Sequence, residues 1–190
     1  DFANSSEIFW ADQSSQDSAK DLILNTKNAN DSLGATVLTI IKGAPAGLGE
    51  VLYNKLDAAL ASAMMGINGV KGVEIGDGIN VATMLGSQNN DFMDKNGFKS
   101  NHCGGILGGI SNGNDIVIKS YFKPTPSIFK AQPTINLDGN EVICELRGRH
   151  DPCIGVRGSV VATAMARLVI ADMLLLNASA NLNNLKRIYQ

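Results

Sequence analysis

Cysteine is scarce in this chain: Cys103, Cys144 and Cys153 are three residues in 190, and no two of them form a C-x-x-C pair. That excludes a disulfide framework and a zinc site of the usual paired spacing, so no metal is expected and reduced, intracellular thiols are the simple reading. Charge of one sign is lacking as well. Lys plus Arg total 16 against 18 Asp plus Glu, a formal net charge of −2, so no chain-wide field draws nucleic acid or an acidic membrane, and any anion site must be local. Long hydrophobic runs are also missing. The longest, Leu168 to Leu176, is interrupted by Asp172 and falls short of a bilayer span, so no membrane helix is expected. The chain opens Asp1-Phe2-Ala3-Asn4, without methionine or the basic-then-apolar layout of a signal peptide, which reads as an internal start in something longer.

What is present is enough for a core, with 44% hydrophobic residues. A single domain over 1–190 is expected, with 1–16 and 178–190 as loose ends. Ser18 to Asn28 reads as a solvent-facing helix. Ala35 to Lys42 is β-branched and apolar, the pattern of a strand covered on both faces or nearly so. After the breaker run Gly43 to Gly49, apolar residues recur at helical spacing from Val51 to Met65. Val70 to Gly76 alternates like a strand, and the polar stretch between Gly86 and Lys99 is long enough for a functional loop or lid. Asp115 to Phe122 reads as a strand, and Thr134–Leu137 with Glu141–Leu146 flank the hairpin signal Asp138-Gly139. Val156 to about Leu176 predicts a long helix, apolar nearly all round at its centre (Val160, Val161, Met165, Leu168, Val169, Met173, Leu174) and therefore buried. Strands and helices alternating irregularly with a hairpin argue for an α+β fold.

Three runs carry chemistry. Gly148-Arg149-His150-Asp151-Pro152-Cys153 places a guanidinium, an imidazole and a carboxylate in succession, a composition that a core does not choose. His150, between two charges, stands out from the usual structural histidine, whereas His102 alone is more often a hydrogen-bonded structural group. Lys123-Pro124-Thr125-Pro126-Ser127 offers an ammonium and two hydroxyls on a backbone stiffened by two prolines, suited to a phosphate, although such a segment is also an ordinary exposed connection. The glycine-rich run Gly104 to Gly113 is either a close-packed turn or a backbone surface for a flat or anionic ligand. It lacks the spacings of a P-loop and of a dinucleotide fingerprint, which disfavours a nucleotide-dependent kinase.

Taken in order, these runs resemble chorismate synthase. The likeness extends from about Asp31 to Leu176 through Asp31-Ser32-Leu33-Gly34-Ala35, Pro45 to Glu50, Ile67 to Gly76, Gly86-Ser87-Gln88-Asn89, Asn101 to Gly113, Phe122 to Ser127 and Gly148 to Arg157. It covers roughly the C-terminal half of that enzyme; the amino-terminal half, with its own catalytic histidines and substrate-gripping arginines, has no counterpart. A second departure is Thr163, where the family motif usually carries glutamate.

The resemblance implies a lyase of the shikimate pathway, cytoplasmic and serving aromatic amino acid biosynthesis, which removes phosphate from 5-enolpyruvylshikimate 3-phosphate by 1,4-anti elimination to give chorismate. It implies dependence on reduced FMN, with NADPH as a candidate reductant, and a homotetramer. Carried over by motif, the flavin contacts fall on Asn68, Gly69, Gly108, Lys123, Pro124, Thr125, Pro126, Ser127 and Arg149. Asp151 matches the aspartate implicated in proton movement at the flavin N5, and Arg149 offsets negative charge there. The implied fold is a β-α-β sandwich around buried helices, of which this chain is one half of an internal duplication. The rival reading is a noncatalytic flavin-binding or oligomerisation module, the isolated fragment being inactive.

Overall fold

The computed structural model describes residues 2–189. Its centre is a three-stranded antiparallel sheet of β1 (Ala35–Ile41), β2 (Val70–Ile75) and β3 (Ile116–Phe122), in the order β1-β3-β2. Since β1 and β2 each run antiparallel to β3, they are parallel to one another, and α2 (Leu56–Met65) connects them: a split β-α-β unit closed by the later strand. The long helix α3 (Gly155–Ser179) packs on the same face, against β1 and α2. Helix α1 (Gln16–Asn28) contributes no buried residue, as its polar sequence predicts.

The core lies between this sheet and the two helices. On β3 the alternation is strict, with Ile116, Ile118, Ser120 and Phe122 buried and their neighbours partly exposed. Leu56, Leu60 and Met64 of α2, spaced at i, i+4 and i+8, complete the cluster with Val37 and Val70. The fold is α+β, as the sequence predicts.

Four expectations are corrected. Strand β1 is covered on one face only: Leu38 and Ile40 remain about half exposed, at 51% and 47%. Helix α2 starts at Leu56 rather than Val51, because Glu50 N–H bonds the Asn54 carbonyl and Leu56 N–H bonds the Gly109 carbonyl, drawing Val51–Asn54 out as a turn. The Gly86–Lys99 stretch holds a helical turn at Gly86–Asn89 and a minimal hairpin, Met93–Asp94 with Gly97–Phe98.

The fourth correction is the largest. Helix α3 buries Met173, as expected, but otherwise a stripe of small residues, Gly155, Gly158, Ala162 and Ala166, while the bulky Val160, Val161 and Leu168 stay exposed. Close approach is the reason. A Cβ at Gly155 would lie 2.3 Å from the Ala35 Cβ, and one at Gly158 would lie 2.5 Å from the Phe122 ring. The helix is also longer than the apolar run suggests, and by length and composition it is apolar enough to cross a membrane, a test that core helices also pass. At the chain ends read as loose, Phe2–Ser5 forms a helical turn and Leu182–Ile188 forms a helix, α4; neither buries a residue.

Candidate functional site

Antiparallel pairing brings the starts of β1 and β2 and the end of β3 to one edge of the sheet, and α3 begins there too. Ala35 and Val70 both pair with Phe122. Lys123 N–H then donates to the Gly69 carbonyl at 2.9 Å, so Asn68 and Gly69 sit beside the Lys123–Ser127 segment. Gly69 takes φ +92°, and a Cβ there would come within 2.6 Å of the Ile154 Cδ1 at the start of α3. The site end is therefore assembled from four separate pieces of sequence.

Hydrogen bonds lock these pieces together. Thr125 Oγ1 donates to the Asp151 backbone carbonyl at 2.9 Å, Ser32 Oγ donates to the Thr125 carbonyl at 2.7 Å, and Leu33 N–H donates to the Pro152 carbonyl at 2.7 Å. The Asp151 carboxylate faces Arg157 on the first turns of α3, Oδ2 to Nη1 3.2 Å. Helix α3 has no side-chain cap, which leaves its first amides unclaimed by one at this end. The side chains of Lys123 and Arg149 are exposed and make no hydrogen bond or ion pair among the described residues. The cluster thus presents unpaired cations and a carboxylate on an open surface.

Gly108 is not part of this cluster. It lies in the tight hairpin Ile106–Leu107 with Ile110–Ser111, beside the start of α2, whereas Asn68 and Gly69 follow that helix's end. A ten-residue helix, about 15 Å long, separates the two. Space at Gly108 is open, with nothing within 4 Å of a Cβ built there. Cavities of about 470 Å³, on the outer sheet face by Glu74 and Tyr121, and about 40 Å³, between Glu50 and α3, are lined by none of the predicted site residues.

Two residues without an assigned role gain one from the geometry. Ser32 braces the donor segment and Arg157 pairs Asp151; the sequence signal was only their membership of the Asp31–Ala35 and Gly148–Arg157 runs. At the opposite end, His102 Nδ1 lies 2.6 Å from Asp77 Oδ2, the structural role expected of a lone histidine. Nearby Asp91 accepts from Ser100 Oγ at 2.6 Å, His102 N–H at 2.7 Å and Cys103 N–H at 3.0 Å. Burial opposes its charge, but the bonds from Cys103, Ser100 and the two amides win and hold the carboxyl well below the usual range. Burial, reinforced by Asp91, pushes the Cys103 thiol up and away from reactivity. Thr163 Oγ1 bonds back to the Ser159 carbonyl of its own helix, at 2.9 Å.

The family model described as chorismate synthase matches residues 1–175. A chorismate synthase of Campylobacter fetus subsp. fetus is 74% identical over 189 residues, covering 100% of this chain and 53% of that protein. One from Campylobacter jejuni subsp. jejuni serotype O:2 is 61% identical over 189 residues, covering 100% of this chain and 52% of the relative. A crystal structure of chorismate synthase aligns with TM-score 0.76 at 31% identity, covering 93% of this chain and 47% of that one. The chain spans about half the length of the curated relatives it matches.

Proposed function

The chain belongs to the chorismate synthase family, and on that premise we propose that it is the C-terminal half of a lyase that eliminates phosphate from 5-enolpyruvylshikimate 3-phosphate in a 1,4-anti sense to give chorismate. One observation carries this reading: the Thr125 to Asp151 hydrogen bond puts the donor-rich segment and the candidate acid–base carboxylate on one open edge. The donor set suits FMN. Lys123 and Arg149 are unpaired and exposed, as a phosphate requires, and Gly69 at φ +92° lets backbone approach where a side chain would not fit.

Lys123, Ser127 and Arg149 would hold the flavin, with Asn68 and Gly69 along one side and Pro124 and Pro126 fixing the segment between. Those residues would hold reduced FMN, which when bound would lend electron density to the substrate as phosphate departs and recover it afterwards, without net redox change. Asp151 holds and moves a proton at its carboxylate, kept oriented by Arg157, while Arg149 offsets negative charge beside it. The open edge excludes no water by itself, which is consistent with a further half of the protein, or neighbouring copies in a homotetramer, closing it. Gly108 stands outside the cluster, and its flavin contact belongs to that larger assembly. NADPH is the candidate reductant. The reading includes one domain over 1–190, a cytoplasmic protein and neither nucleic acid nor membrane as partner, with α3 as a core helix.

The uncovered apolar face of α3 favours one alternative, a noncatalytic flavin-binding or oligomerisation module. Anaerobic single turnover with prereduced FMN and 5-enolpyruvylshikimate 3-phosphate, in the full-length protein, separates the two. Flavin binding without phosphate release, with the complete protein folded, would leave the module reading standing.

A further inference from the structure

Resting on the flavin-site reading above, we infer that His150 serves that site as a ring and not as a proton carrier: packed on Phe129, it positions the Arg149–Asp151 turn against the Lys123–Ser127 segment. The ring centroids lie 5.3 Å apart with planes at 56°, a tilted aromatic pair. The His150 Nε2 is buried and has no hydrogen-bond partner among the described residues. A general acid or base needs a partner or a water within about 2.6–3.2 Å to pass its proton, and the buried Nε2 has neither within reach; the pH profile of single turnover tests the other ring nitrogen, Nδ1.

Phe129 is independently anchored. Its N–H donates to the Asn30 carbonyl at 3.2 Å, and its neighbour Lys130 pairs with Asp31 at 2.5 Å. Asp151, next to His150, is tied through its carbonyl to Thr125. Consecutive residues of the turn are thus fastened to the same strip of chain, one by a ring contact and one by a hydrogen bond. Arg149 directly precedes them, so the two ties fix its backbone while its guanidinium stays unpaired. A buried, unpartnered nitrogen is a cost that a phenyl ring would not carry. His150→Phe therefore keeps the ring contact and removes that cost, which separates the ring from the nitrogen.

The test uses His150→Ala and His150→Phe in the full-length protein, with FMN titration by flavin fluorescence, a thermal melt of the flavin-free protein and the pH profile of single turnover. His150→Ala is expected to raise the FMN Kd about tenfold, the order of one aromatic pair, and to melt earlier. His150→Phe is expected to rescue both, with the pH profile unmoved. A His150→Phe protein that melts normally yet fails to rescue FMN affinity, or whose pH profile loses a limb, overturns the inference and returns His150 to chemistry. Should the unsubstituted protein bind no FMN, the flavin reading is what fails. The melts then decide the ring's role, an early melt for His150→Ala with rescue by His150→Phe supporting it and equal melts of both variants removing it.

Discussion

Thr125 Oγ1 donates a 2.9 Å hydrogen bond to the backbone carbonyl of Asp151, joining residues 26 positions apart in sequence. The bond takes the carbonyl, not the carboxylate, so the backbone of Asp151 is fixed while its side chain is left to pair with Arg157. Ser32, bonded to the Thr125 carbonyl, extends the link to the start of β1. Preorganisation of this kind sets distances between charged groups before any ligand arrives.

Lys123 is the exposed, unpaired ammonium of the donor segment. In the full-length protein Lys123→Ala is expected to weaken FMN by about 1.5–3 kcal/mol, the range of a charge-assisted hydrogen bond, with little change in melting temperature. Flavin fluorescence titration reads the loss. An unchanged Kd removes Lys123 from the site.

Asp151→Asn keeps size and most hydrogen bonding but removes charge and basicity. Turnover in the full-length enzyme is expected to fall on the order of tenfold or more, as for a positioned acid–base group. Stability should barely move, since the Arg157 partner is largely exposed and such pairs contribute about 0–1 kcal/mol. A single-turnover rate beside a thermal melt separates the effects; an early melt with normal turnover makes Asp151 structural.

Asp91 governs the acid limb of stability at the opposite end. Its folded carboxyl titrates below the usual range, so its stabilisation is complete above the ordinary carboxylate value near pH 4 and is lost as pH falls through the folded value, where the unfolded chain is already protonated. Asp91→Asn is expected to cost about 1–3 kcal/mol at pH 7 and to flatten the decline of the urea midpoint below about pH 4. Parallel midpoint curves for the two proteins would contradict this.

The chain by itself is expected to lack turnover, because its site is an open edge and the family's amino-terminal histidines and arginines are not in it. The apolar residues left exposed on α3, Val160, Val161 and Leu168 among them, should also make the isolated chain self-associate. Anaerobic assay with reduced FMN, and sedimentation across a concentration series, check both. Turnover at a full-length relative's rate, or a monomer at every concentration, would count against the respective claim.

Local pattern determined most of the elements. The β-branched run at Ala35, the strand at Ile116–Phe122 and the hairpin about Asp138-Gly139 stand where the sequence puts them, because period-two alternation and turn residues act over a few positions. Composition marks the Arg149–Asp151 run as a candidate site, whereas the Lys123–Ser127 run reads equally as an ordinary exposed connection until the resemblance joins the two. Tertiary structure decided what those runs meet. The antiparallel register that sets Ala35 and Val70 opposite Phe122 gathers Gly69, Lys123 and Asp151 at one end and leaves Gly108 about a helix length away, a separation that no spacing in the sequence encodes. It also decided which side of α3 is core. Hydrophobicity all round the helix gives no direction, and the approach of the Phe122 ring and Ala35, too close for any Cβ, turns the small residues of its first turns inward and leaves Val160, Val161 and Leu168 out, with Met173 reaching the core further along.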